Sequence, residues 1–317
     1  FFRKILKQFH NLDLISFYIL RSENDVSEVP NSEMSLIPFP IEKLFTETLN
    51  SFDLVIFQNF DYRPFNTVTK EFERYFANIK KYVMESGGAF LMIGGDLSFS
   101  QGDYNGTKLE DILPVNLSAE NNKVNEEYFK AVLAPSGQRH PIGILDYSKS
   151  NNLNIWEELP LLHSCNKVTG LKQGAIPIVE HPLIKCGEER LPIISVADMG
   201  NGRSMAILTD SLWRWDFLSV GKGGSNRHYI RFWDNSFKWL MHDPDLNTVK
   251  ISADQTDYIL GDTIKVKSIL MDSSYNPVKD AQTVIKIINC SDEKEVFSGE
   301  VKTDAQGTAK VSYPIYI

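Results

Sequence analysis

The chain has 317 residues, of which 42% are hydrophobic and 11% aromatic, and its formal net charge is −8. That balance, with no local basic stripe, argues against a nucleic-acid partner, because such affinity comes mainly from Lys and Arg neutralising phosphates. No run of about 18 apolar residues exists, so no segment is read as a membrane-spanning helix, and the length suggests two domains.

Phe1 to His10 reads as the apolar-periodic tail of a helix without a start signal. Asn11–Arg21 carries an apolar run of strand length from Leu14 to Leu20, and Ser35–Pro40 is a short extended piece. Ile41–Leu49 reads as a helical turn or two, and Asp53–Asn59 as a buried strand leading into the turn Phe60–Pro64. From Thr67 to Glu85 the apolar residues Phe72, Tyr75, Phe76, Ile79 and Val83 recur at helical spacing, with Asn66 as a cap and Gly87-Gly88 as a stop. The strand Phe90–Ile93 then runs straight into Gly94-Gly95. Strands alternating with helices predict an α/β fold with a doubly wound, mostly parallel, flavodoxin-like sheet. Sheets of that kind use the turns at the carboxyl ends of their strands, here Arg21-Ser22, Gln58–Asp61 and Gly94–Ser98.

Residues 105 to 190 read as inserted hairpins and loops beside that sheet, with turns at Pro135-Ser136-Gly137, Tyr147–Asn152, Gly170 and Gly174. Leu191–Asp198 and Arg203–Asp210 are strands joined by the hairpin turn Met199-Gly200-Asn201-Gly202. His228–His242 closes a first domain, expected over 1–243, as an amphipathic helix with Ile230, Phe232, Trp233, Phe237, Leu240 and Met241 on or near its inner face. Composition shifts at His242–Asp245, and 247–317 reads as all β, with runs at Val249–Ser252, Thr263–Leu270, Thr283–Ile288, Glu295–Val301 and Gly307–Pro314. The spacing suggests a β-sandwich of the immunoglobulin kind with six short strands, one fewer than usual. Its last residues stop inside a strand pattern, so the chain is expected to be a soluble piece of a longer protein.

The turn after Phe90–Ile93 is the strongest candidate site, and it carries glycine where α/β hydrolases carry a nucleophile. Ser98, three residues on, either hydrogen-bonds the turn or serves as a substitute nucleophile with His140 as base and Asp96 or Asp210 as orienter. His163, Cys165, His181 and Cys186 are metal-ligating types, but their spacings match no common zinc pattern and they read as structural. Cys165 and Cys186 could pair across a hairpin, although buried thiols fit better. Trp213-Arg214-Trp215 has the composition of a binding hot spot. The alternative packs both Trp residues under the insertion, with Arg214 paired to Asp216 or Asp210. Asp61, Tyr62, Arg63 and Phe65 should lie near the same edge. Gly221–Ser225 lacks phosphate-loop spacing and reads as a mobile loop.

Residues 11 to about 242 resemble the glutamine amidotransferase-like family, the class I amidotransferase fold found in large bacterial envelope proteins. The carrying segments are Gly87–Asp96 with Ser98-Phe99, Gly102-Asp103-Tyr104, Leu113-Pro114-Val115, Arg139-His140-Pro141-Ile142, and Gly202-Arg203 through Thr209–Trp215. Residues 247 to 317 are similar to macroglobulin-type or Ig-like modules through Asp257–Asp262 and Thr303–Gly307. The resemblance implies a Cys thiolate on the elbow, a His to deprotonate it and an acid to orient the His. Carried over, the cysteine should fall at Gly94 or Gly95 and the His near Asp210-Ser211, and none of these residues can do that work. The resemblance therefore implies a non-catalytic domain acting in binding or architecture at the extracytoplasmic side of a bacterial envelope, without cofactor or metal. Its ligand-binding candidates are Asp61, Tyr62, Gly94, Gly95, Asp96, Ser98, Asp210, Trp213, Arg214 and Trp215. The second reading is a hydrolase built on Ser98, His140 and Asp210.

Overall fold

A computed structural model describes residues 2–9, 12–17, 40–69, 71–118, 124–221 and 223–315. The Arg21-Ser22 turn, the end of the first expected strand and nearly all of the Ser35–Pro40 piece lie outside the described residues. The chain divides into two units, Phe1–Met241 and His242–Ile317.

The first unit begins with helix α1 (Phe2–Leu6), then strand β1 (Leu54–Gln58) and helices α2 (Arg63–Thr69) and α3 (Phe72–Met84), ending at β2 (Ala89–Ile93). Short strands β3 (Val115–Asn116), β4 (Asn125–Phe129) and β5 (Val132–Leu133) follow. Helix α4 (Lys149–Glu158) and strands β6 (Leu162–Cys165), β7 (Gly170–Leu171) and β8 (Ile176–Cys186) come next. The unit closes with β9 (Glu189–Met199), β10 (Gly202–Ile207), α5 (Arg214–Gly221) and α6 (Arg227–Leu240).

The main sheet has the order β1-β2-β10-β9-β8-β5. It is parallel at β1–β2 and β2–β10 and antiparallel across the other three pairings, so it is mixed rather than mostly parallel. The reason is local: β8, β9 and β10 are joined by tight turns, and a parallel pair needs a crossover of a dozen residues or more. Leu14–Phe17, the described part of the strand expected over Leu14–Leu20, has no regular structure.

The expected insertion also needs correction, because β5 and β8 are members of the main sheet rather than hairpins beside it. Where a turn was expected at Tyr147–Asn152, α4 begins. Asn152 makes the helix possible: its Oδ1 accepts the Leu145 and Asp146 amides at 2.8 and 3.2 Å, and its Nδ2 donates to Gly143 O at 3.0 Å.

Helix α3 buries Phe72, Tyr75, Phe76, Ile79, Tyr82 and Val83, the i, i+3, i+4 stripe of an amphipathic helix. Asn66 lies within α2 rather than at the start of one long helix, although its Oδ1 still accepts the Phe72 amide at 3.4 Å. The end of α3 is held by the β9–β10 turn, where Asn201 donates from its backbone to Met84 O and from its side chain to Glu85 O, both at 2.9 Å. On α6 the buried residues are Tyr229, Phe232, Trp233, Ser236, Phe237, Trp239 and Leu240, while Ile230 and Met241 are only half-buried.

The parallel registers set the level of the functional edge. Gln58 pairs with Ile93, and Ile93 with Ile207, so the residues after β1, β2 and β10 emerge side by side.

The second unit holds five strands among the described residues, one fewer than expected. Strands β11 (Val249–Ala253), β12 (Thr263–Leu270) and β15 (Thr308–Pro314) form one antiparallel sheet. Strands β13 (Gln282–Ile288) and β14 (Glu295–Lys302) form another. Val266, Ile285 and Ala309 are buried, and the Phe297 ring lies 5.3 Å from that of Tyr313. Ile285→Ala is expected to destabilise this unit by about 2–5 kcal/mol through a buried cavity. Far-UV circular dichroism during urea unfolding checks this, and all five Trp lie in the first unit, so their fluorescence follows that unit separately.

Candidate functional site

Beyond β2 the ladder to β10 continues for one residue, with the Gly94 amide donating to Ile207 O at 2.7 Å. A Cβ on Gly94 would lie 2.5 Å from Asn166 Oδ1 and 2.7 Å from the Thr209 amide nitrogen. Gly95 has a φ of +134°, and its Cβ would lie 2.4 Å from Asn59 Oδ1. Real Cβ contacts do not come this close, so any side chain at Gly94 would have to displace the Leu208–Thr209 backbone that follows β10.

Two amide side chains build this enclosure. Asn166 Oδ1 accepts the Gly95 amide at 3.0 Å and Asn166 Nδ2 donates to Gly95 O at 2.9 Å, while its own amide donates to Leu208 O at 2.7 Å. Asn59 Oδ1 accepts the Leu97 amide at 2.8 Å, and the Asn59 amide donates to Ile93 O at 3.3 Å. Asn59, Phe99 and Ser164 all adopt left-handed backbone near φ +50°. Such residues cost about 1–3 kcal/mol each and persist only where the surroundings over-determine them. Neither Asn59 nor Asn166 was singled out from sequence. Asn59 carried a weak signal as the residue ending a buried strand, but nothing local marks Asn166.

Ser98 is only 1% exposed and its hydroxyl donates to Ile93 O at 2.8 Å. It caps the last carbonyl of β2, five residues before it, rather than the turn that follows. His140 lies elsewhere. It is fully buried against Trp239, with ring centroids 5.3 Å apart, and its Nδ1 accepts the Ile142 amide at 3.3 Å. Burial, with the Arg203 charge adding, pushes its pKa down to about 3. Arg203 marks the opposite end of β10, packing over Trp239 at 4.6 Å, and the strand advances about 13 Å from there to Ile207. The Ser98, His140 and Asp210 constellation is therefore not assembled.

Asp96 and Asp210 are exposed on the rim above the turn. The Asp210 carboxyl is held above its ordinary range by desolvation, with the Asp96 charge adding to it and His163 opposing it. His163 stands on the same rim, with its ring 4.5 Å from Tyr128 and its amide donating to Ser211 Oγ at 2.9 Å. His181 instead packs on Phe129 at 4.4 Å, and neighbouring strand residues face opposite ways, so the two imidazoles are separated by the β4–β6 ribbon. Among the described residues no group of three or more His, Cys, Asp or Glu side chains converges to hold a metal. All three cysteines are free, and burial pushes the Cys165 thiol up to about 12.

Asp61 and Tyr62 are committed to structure. Asp61 grips Arg63 through Oδ1–Nε at 2.7 Å and Oδ2–Nη2 at 3.1 Å, and Arg63 Nη1 donates to Asp103 Oδ2 at 2.9 Å. Tyr62 donates its hydroxyl to Asp103 O at 2.9 Å, and Tyr104 donates to Phe60 O at 2.7 Å. The loops after β1 and β2 are thereby stapled together.

The tryptophan pair splits. Trp215 is 1% exposed, donates to Pro160 O at 3.1 Å and meets Trp156 edge-on. Trp213 is 41% exposed and sits beside exposed Phe217, with ring centroids 6.0 Å apart. Among the described residues Arg214 pairs with no acid. Its Nε donates to Leu161 O at 2.7 Å and its guanidinium lies over the Tyr128 ring at 5.0 Å. Of the Gly221–Ser225 loop, Lys222 lies outside the described residues, while the Gly223 and Gly224 amides donate back to Val220 O and Ser219 O.

A family model described as "Putative glutamine amidotransferase" matches residues 15–242. Among solved structures, the cytoplasmic protein STM3548 from Salmonella typhimurium is similar at 21% identity, over 64% of this chain and 76% of that one, with a TM-score of 0.47. The cytoplasmic protein STM1381 from the same species, strain LT2, is similar at 21% identity over 61% and 74%, with a TM-score of 0.45. A cold-adapted β-galactosidase from Rahnella sp. R3 is similar at 12% identity over 85% of this chain and 33% of that one, with a TM-score of 0.37. No curated protein matches this chain.

Two outcomes are expected at the rim. Asn166→Ala should destabilise the first unit by about 1–3 kcal/mol, since it leaves the buried Gly95 amide without an acceptor, as read by urea unfolding followed through tryptophan fluorescence. Asp210→Asn should be more stable than wild type at pH 7. A carboxyl with a raised folded pKa holds its proton more tightly when folded, so its ionised form lowers stability, and that loss fades as pH falls through the raised value. The difference in thermal midpoint should close by about pH 4, the ordinary range of an aspartate.

Proposed function

The chain belongs to the glutamine amidotransferase-like family, and from that premise we propose that its α/β unit is a non-catalytic member acting in binding or architecture. The observation that carries this reading is the closure of the Gly94-Gly95 turn by Asn59, Asn166 and the Thr209 backbone. Hydrolysis of glutamine by the family's route needs a thiolate on that turn and an imidazole within reach of it. The three thiols in the chain stand elsewhere: Cys165 is buried with a raised pKa, Cys186 is likewise raised by desolvation, and Cys290 belongs to the second unit. The exposed part of the edge offers Asp96, His163, Asp210 and Trp213 as a recognition surface.

The second unit is proposed to be an Ig-like or macroglobulin-type β-sandwich, supported by its two antiparallel sheets and the residues buried between them. Such modules serve mainly as spacers and adhesive surfaces outside the cytoplasm, which supports placing the protein in the bacterial cell envelope. No helix among the described residues is long and apolar enough to cross a membrane.

The test is an ammonia-release assay on purified chain with glutamine, run with and without a thiol alkylator. No release is expected from wild type. Gly94→Cys should also remain inactive, with stability lowered by about 1–3 kcal/mol through overpacking against the Leu208–Thr209 backbone. Alkylator-sensitive ammonia from the wild-type chain would contradict the reading.

A further inference from the structure

A cleft of about 690 Å³ opens in the first unit between Gln8-Phe9, the loop Leu145–Tyr147 and helix α6. It shares no residue with the Gly94-Gly95 rim. Three basic or imidazole side chains from the start of α6 line it, Arg227, His228 and Arg231. Arg227 and Arg231 are four residues apart and so neighbours on one helix face. The first turn of α6 carries no acidic residue, so the positive end of the helix dipole adds to their charge.

The local acids are bonded elsewhere: the Asp146 carboxyl is held below its ordinary range first by the Ser148 amide and, more weakly, by the Arg231 charge, which it offsets in part without pairing with it. Asp146 accepts the Ser148 amide on Oδ1 and Asn151 Nδ2 on Oδ2, both at 2.8 Å. Asp234 is bound to Lys238 Nζ at 2.7 Å. Among the described residues neither Arg227 nor Arg231 forms an ion pair within 4.0 Å. Arg227 Nε donates to His228 Nε2 at 3.1 Å, which leaves its terminal nitrogens without a protein acceptor. Arg231 lies 4.5 Å over the ring of Tyr147, itself 88% exposed. Its Nε is buried and has no hydrogen-bond partner. An enclosed guanidinium nitrogen without an acceptor is costly, and native proteins keep few of them.

We propose that this cleft binds the oxyanion group of a small ligand, a phosphate or a carboxylate, with Arg227 and Arg231 as its two guanidinium forks and Tyr147 as a flanking ring. The guanidinium fork matches both groups bidentately, and it does so where a point-charge ammonium does not. The cleft is of small-ligand size, within the range of about 300–1,000 Å³. A chain of net charge −8 would not gather anions non-specifically, so binding here would have to come from these two side chains.

The experiment titrates the full chain at fixed ionic strength with inorganic phosphate and, in a second arm, with succinate, following amide shifts by NMR. Saturable binding of at least one is expected, and the tighter of the two assigns the ligand class. Arg227→Gln and Arg231→Gln should each weaken that binding tenfold or more, the loss of a charge-assisted hydrogen bond. Arg231→Lys should recover only part of it, and Arg190→Gln, on β9, should leave it unchanged. Should Arg231→Gln fail to fold by circular dichroism, Arg227→Gln decides alone, since that side chain is exposed and its one side-chain hydrogen bond among the described residues is to His228. No saturation by either anion, or equal affinity in the wild type and the Gln variants, overturns the proposal.

Discussion

One side-chain amide holds the functional edge of this protein together. Asn166 accepts the Gly95 N–H and donates to the Gly95 carbonyl while its own backbone is fixed to Leu208. It therefore ties the segment after β6 to the carboxyl ends of β2 and β10 in one step. Buried backbone groups must find partners, and a turn without its own ladder has to borrow them. Asn59 does the same from the other side. With both amides in place the turn is filled, and glycine is the residue that fits at both positions.

The surroundings follow from that closure. Ser98 satisfies the carbonyl that ends β2, and the Asp61–Arg63–Asp103 bridge with the Tyr62 and Tyr104 hydroxyls fixes the loops beside it. These side chains look like catalytic or binding residues in the sequence because they are polar and sit at strand ends. The Ser98, Tyr62 and Tyr104 hydroxyls are spent on backbone carbonyls instead, and Asp61, Arg63 and Asp103 on one another. What remains exposed is the rim above, with Asp96 and Asp210 beside half-buried His163 and with Trp213 and Phe217 alongside.

Much of the frame was legible in the residues. The strands Leu54–Gln58 and Ala89–Ile93, helix α3 and the strands of the second unit were recoverable from periodicity and turn chemistry, since burial enforces both patterns. The mixed sheet was half legible: the Met199–Gly202 turn announced an antiparallel pair, yet βα alternation earlier in the chain suggested that parallel pairing would dominate. Helix α4 was hidden because its Asn residues resemble a turn, and only the loop carbonyls and amides that Asn152 satisfies reveal why a helix forms. Asn166 could not be read at all. Its partner lies 71 residues away in sequence, and no local pattern encodes such a contact. His140 illustrates the converse, a residue of catalytic type that tertiary packing places at the far end of β10.

Amide hydrogen exchange at Gly95 tests the closed turn most directly, because that N–H is bonded only through the Asn166 side chain. A structurally enforced closure predicts exchange as slow as in the central strand β2, opening only with cooperative unfolding of the first unit. Exchange at the rate of an exposed loop would mean that the turn opens freely in solution, and the account of a filled, nucleophile-free elbow would be wrong.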